Sequence, residues 1–201
     1  LLLVSATQAV LPTIVSRCQV LELRPLSKTV ISNELKNNHG LDPVKADEIA
    51  RLSRGKLGWA ISVAGSLGLL DELNNKVGFF RDIVAADLEE RFKYAATLAS
   101  SIVKDRNYGR QELESWLIWW RDVLLAANGV ADYVTNVSNL PIFQAVASSI
   151  EPVQITRAIS STNSALEQIE SNANPRLALE NLMGVLSLLK KPCLEIEYQQ
   201  S

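Results

Sequence analysis

Arg17 offers the most definite chemistry in this 201-residue sequence. It lies in the run Leu11-Pro12-Thr13-Ile14-Val15-Ser16-Arg17-Cys18-Gln19, opened by a proline and therefore read as a short helix or turn. A guanidinium never deprotonates, and its planar fork of donors matches two oxygens of a phosphate. The competing role is a surface salt bridge. Trp116, Trp119 and Trp120 stand at i, i+3 and i+4 on one helix face, where a core ridge is favoured over a base-stacking platform. His39 is the only histidine, which leaves nothing for a His-based catalytic or metal site. Cys18 and Cys193 lie far apart and form neither a disulfide framework nor a CxxC pair, so both read as reduced thiols in an intracellular, cytoplasmic setting. Glu89-Glu90 reads as a solvated helix face. No GxxxxGK[ST] sequence and no acidic strand end of the magnesium-binding type occurs, so the chain as given holds no complete ATP site.

The elements that must position Arg17 are short. Leu1-Leu2-Leu3-Val4 has no charged region before it and reads as a buried strand that ends in a polar turn. Such a strand belongs in a parallel sheet covered by helices. Nothing later supplies that sheet, so the chain is expected to be a fragment of a larger α/β domain. Residues 19–23 alternate polar and apolar and are expected to form a second strand, ended by Arg24-Pro25. Helices are expected over 27–38, with Ser27 as N-cap and His39-Gly40 as stop, over 42–53 behind Asp42-Pro43, and over 56–66. Longer helices follow over 73–105 with a break near Gly78, 110–128, 140–148, 153–171 and 174–189, the last three opened by prolines 141, 152 and 175. The tail from residue 192 is expected to be loosely docked. The fold class is therefore mainly α: a three-helix bundle plus an all-α domain, preceded by a short α/β remnant.

Composition agrees with a globular chain and divides it. Apolar residues make up 47% and charged ones 21%, and no apolar run approaches the roughly 20 residues that span a bilayer, so no membrane contact is expected. The net charge of −2 says nothing of nucleic acid, but its distribution is uneven. Residues 1–70 carry eight Lys/Arg against five Asp/Glu, and the rest carry twelve against seventeen. Trp59 is the only aromatic residue in the first seventy. These shifts place a boundary near position 70.

The words of the sequence add a resemblance. A strand Leu-Leu-Leu-Val, a polar turn and then LPTIVSRCQ resembles the clamp-loader branch of the AAA+ ATPases, as found in bacterial DNA polymerase III. The resemblance implies that residues 1–24 end an AAA+ module, 25–70 form its three-helix lid and 71–201 form a helical collar that holds a ring of subunits together. It implies that Arg17 is an arginine finger acting in trans on the ATP of a neighbouring subunit. Ser5 or Thr7 would be the nucleotide-sensing residue at the strand end. ATP and magnesium would be bound by neighbours, with no cofactor in this chain. The partners implied are the gamma/tau and delta subunits through the collar, and the sliding clamp and primer-template DNA through the complex.

A second stretch, Leu52-Ser53-Arg54-Gly55-Lys56-Leu57-Gly58-Trp59-Ala60, resembles the family's Ser-x-Gly-x-x-Arg-x-Ala, whose Arg contacts nucleotide in cis. Here Gly58 stands at that Arg position. The departure favours a subunit that does not hydrolyse ATP over gamma/tau; close helix packing is the other reading of Gly58. The run from Asn172 to Leu182, with Asn174 as N-cap before Pro175, resembles the opening of the last collar helix and is a packing signature. By resemblance the chain would serve a DNA-directed DNA polymerase, a nucleotidyltransferase. From another class, a helical scaffold or adaptor with no link to ATP accounts for the same helices.

Overall fold

The computed structural model describes residues 2, 4 and 10–189, the side chain of Leu67 excepted, and these are mainly helical. Among the described residues ten α-helices follow in order: α1 Pro12–Val15, α2 Lys28–His39, α3 Pro43–Leu52, α4 Leu57–Ala64, α5 Leu67–Ala85, α6 Leu88–Lys104, α7 Arg106–Ala127, α8 Leu140–Ser149, α9 Pro152–Glu170 and α10 Pro175–Ser187. Two short 3-10 turns, Ala131–Tyr133 and Val137–Asn139, join α7 to α8. Among the described residues there is no strand. Residues 19–23, expected as a strand, run without regular structure, with Leu21 82% and Leu23 80% exposed. Alternation makes a strand only where a neighbour supplies the ladder, and none stands beside this segment among the described residues. The strand expected over 1–4, the candidates Ser5 and Thr7, and the tail from 190 lie outside the described residues, Leu2 and Val4 apart, which are exposed.

The helix starts follow local chemistry. Ser27 Oγ accepts from the Val30 amide, Asp42 Oδ2 from Val44 and Lys45, and Asn174 Oδ1 from Arg176. Each satisfies donors that no intrahelical carbonyl can reach. Ahead of α9, Gln154 Oε1 accepts from the Glu151 amide at 3.2 Å.

Two hydrophobic cores result. In the first, α2, α3 and α4 bury Ile31, Leu35, Ile49, Ala50, Ala60 and Val63. In the second, α7 lies at the centre against α6, α8 and α9, while α10 packs on α6 and α9. The helix α5 serves both: Leu70 belongs to the first core, and Val77, Phe80 and Val84 to the second. The boundary expected near position 70 therefore falls inside a helix.

The break expected near Gly78 occurs instead at Ala86–Asp87. Asp87 Oδ1 accepts from the Glu90 amide and opens α6. Arg91, 2% exposed, turns back so that its Nε donates to the Ile83 carbonyl at 3.1 Å and its Nη2 to that of Val84. A buried guanidinium thus satisfies carbonyls at the end of α5. Gly78 only costs the helix about 1 kcal/mol relative to alanine. Gly109 in α7 has a packing reason, since a Cβ there would lie 2.2 Å from Ile102 Cγ1.

Candidate functional site

Pro12 fixes the first turn of α1, and the chain then tightens through Arg17 N to Ile14 O at 3.0 Å and Cys18 N to Val15 O at 3.2 Å. The helix buries no residue. Arg17 is exposed, and its guanidinium has no hydrogen-bond or ion-pair partner among the described residues. The surface salt bridge that competes with a phosphate role is thus not made there. Among the described residues nothing occupies its donors. Cys18 beside it is an exposed free thiol.

The segment after Arg17 is fastened to the first core at one point. Leu26 N donates to Gly55 O at 3.0 Å. Gly55 holds φ +87°, and a Cβ there would lie 2.4 Å from Pro25 Cβ, so only glycine permits this crossing. Gly58 is different. It is exposed on the first turn of α4, and a Cβ would meet nothing within 4 Å. The close-packing reading of Gly58 is corrected: Ala60, not Gly58, faces the core. Sterically, a larger side chain would fit at position 58.

The three tryptophans are core. Trp116 is fully buried and stacks on Phe80 with centroids 4.2 Å apart, while Trp119 meets Trp120 edge-on at 4.8 Å. Trp116 Nε1 donates to Tyr94 Oη, which donates to Glu112 Oε1, and Glu112 is ion-paired with Lys76. Burial and the Glu112 charge push the Tyr94 phenol above its ordinary range. His39 ends α2 on the surface.

The polar groups that sequence reasoning missed lie between the two cores. Asp122, 1% exposed in the Trp-rich face of α7, accepts from the backbone amides of Thr135 at 3.0 Å and Asn136 at 3.1 Å. Burial raises its pKa, and those amides together with Arg121 act in the opposite direction. Arg51 Nη1 donates to the Asp132 carbonyl at 2.6 Å, and Ser138 Oγ to Glu48 Oε1 at 2.5 Å. Arg51, Arg54 and Arg121 border one cavity there. A carboxylate on the tryptophan face was the available signal. The rest depends on how two distant segments meet, which no local spacing records.

Among the described residues no group of three His, Cys, Asp or Glu could hold a metal ion, and no helix is long and apolar enough to cross a membrane. Compared with protein families, curated proteins and solved structures, the chain gives no match.

Proposed function

We propose that this chain acts as a clamp-loader subunit of bacterial DNA polymerase III, similar to the delta-prime subunit, helping to load the sliding clamp onto DNA during replication. The observation that carries the reading is Arg17: exposed, unpaired among the described residues, and held on a helical turn that buries nothing. In this reading Arg17 extends across a subunit interface to the ATP of a neighbour and stabilises charge on the transferring phosphoryl group. The helices from α5 onward form the collar, and those from α2 to α4 the lid. Gly58 supports the delta-prime assignment over gamma/tau, because it brings no guanidinium to the position of the cis nucleotide contact, and its open surroundings give no packing reason for a glycine there.

Assembly tests the partner half of this reading. Mixed with gamma/tau and delta subunits, the chain should enter a stoichiometric complex on gel filtration. A chain that elutes alone in every mixture would favour the helical adaptor and remove the clamp-loader reading.

A further inference from the structure

Between the two cores lies a cavity of about 410 Å³, within the size range of small-molecule sites. Four cationic side chains border it: Lys28 from α2, Arg51 from α3, Arg54 from the turn after α3, and Arg121 from α7. The carboxylates nearby do not match them. Asp47 is shared, at 2.9 Å from Lys28 Nζ and 3.0 Å from Arg51 Nε. Asp122 is held by backbone amides and by Arg121 Nη1 at 3.2 Å. Asp132 lends Arg51 its carbonyl, and no ion pair of its carboxylate is formed among the described residues.

A donor inventory sharpens the imbalance. Each guanidinium carries five N–H donors. Arg51 uses two of its nitrogens, and Arg121 directs Nη1 to Asp122 and Thr135 Oγ1 and Nη2 to the Tyr133 carbonyl at 3.5 Å. Arg54 uses none: its side chain has no partner among the described residues. Its backbone also sits at φ +50°, in the left-handed region that costs a residue with a Cβ about 1 kcal/mol or more. Arg54 is exposed at the rim of the cavity, so its donors are solvated by water that an anion can displace, with Lys28, Arg51 and Arg121 bordering the same space.

We propose that this cavity binds a small phosphate-bearing molecule, with Arg54 and Arg121 as its principal ligands and Thr135 Oγ1 beside them. Arg51 and Lys28 supply further charge at its border. The exposed ring of Tyr133 and the side chain of Leu26 offer an apolar surface to the rest of the molecule. Because the ligands come from both cores, the bound molecule would clamp α3 against α7. The site is separate from Arg17, and Gly58 does not line it.

Calorimetric titration of inorganic pyrophosphate into the 201-residue chain, at about 0.15 M salt to suppress diffuse attraction, tests this. One molecule should bind per chain. Arg54→Gly should weaken binding about tenfold or more, as expected for losing a charge-assisted hydrogen bond. It should leave the melting temperature equal or higher, because glycine accepts φ +50° without strain. Arg121→Ala should weaken binding comparably, and Arg17→Ala should leave it unchanged. Absence of saturable binding, equal binding by Arg54→Gly, or loss of binding in Arg17→Ala would each overturn the proposal.

Discussion

The core of α2–α4 and the core of α5–α10 are built from different side chains. The first is aliphatic and small: Ala46, Ala50 and Ala60 let three short helices approach, and Trp59 packs only at its edge. The second is aromatic and deep, with Trp116, Trp120, Phe80 and Phe143 all buried. It also takes in charge, and every charged group there holds part of the fold in place. Arg91 ends α5, Glu112 anchors Tyr94, and Asp122 gathers the loop after α7. Among the described residues the small core has no such buried charge, and it takes Leu70 from the shared helix. A three-helix unit of this size gains stability from its neighbour, whereas the larger one has surface enough to bury for itself.

The largest effect should come from the aromatic centre. Trp116→Ala removes the ring stacked on Phe80 and the partner of Tyr94, and should cost about 3–5 kcal/mol in denaturant unfolding. Leu35→Ala, fully buried in the small core, should cost about 2–4 kcal/mol. It should do so unevenly. Hydrogen exchange should show α2–α4 losing protection while α7 and α9 keep theirs. Uniform loss of protection would mean that the two cores unfold as one. A smaller change, about 1 kcal/mol, is expected for Arg51→Ala, which frees the Asp132 carbonyl and half of the Asp47 pairing. Its effect on the small core should shrink once Ser138→Ala has already loosened the same seam.

The smallest is a pH effect. The hydrogen bond from Lys28, assisted by Arg51, holds the Asp47 carboxyl below the ordinary aspartate value. A carboxylate depressed in the folded state adds stability above its unfolded pKa and loses it as pH falls through the folded one. Asp47 is half exposed, so the gain is slight. A carboxyl titration by NMR should give a midpoint below that of an exposed aspartate, and Lys28→Ala should raise it.

Helix positions were legible where punctuation was strong. Asp42-Pro43 and Asn174-Pro175 define starts to within a residue because the cap and the fixed proline φ act locally. Gly78 misled, since helix interiors tolerate a glycine, while the real break at Ala86–Asp87 depends on Arg91 folding back from the next helix. Residues 19–23 misled for the opposite reason: their alternation needs a sheet partner that the described residues do not provide. Arg17 was legible as a guanidinium that could take a phosphate or close a surface salt bridge, and the fold leaves it without a partner among the described residues. The cavity between the cores was not, because Arg54 and Arg121 meet only through tertiary packing.

The central claim, that Arg17 works on a neighbour's ATP, is tested most directly by clamp-stimulated ATP hydrolysis in a loader reconstituted with this chain. Trans arginines are worth about 10³–10⁵ in rate in the best-studied GTPases; in the proposed ring the other sites would retain their own fingers, so the total should fall by less. Arg17→Ala should lower both hydrolysis and clamp loading while the complex stays assembled. Arg17→Lys should rescue poorly, since an ammonium keeps the charge but loses the bidentate fork. A loader carrying Arg17→Ala that hydrolyses ATP and loads clamps at the wild-type rate, with intact stoichiometry, would contradict the account.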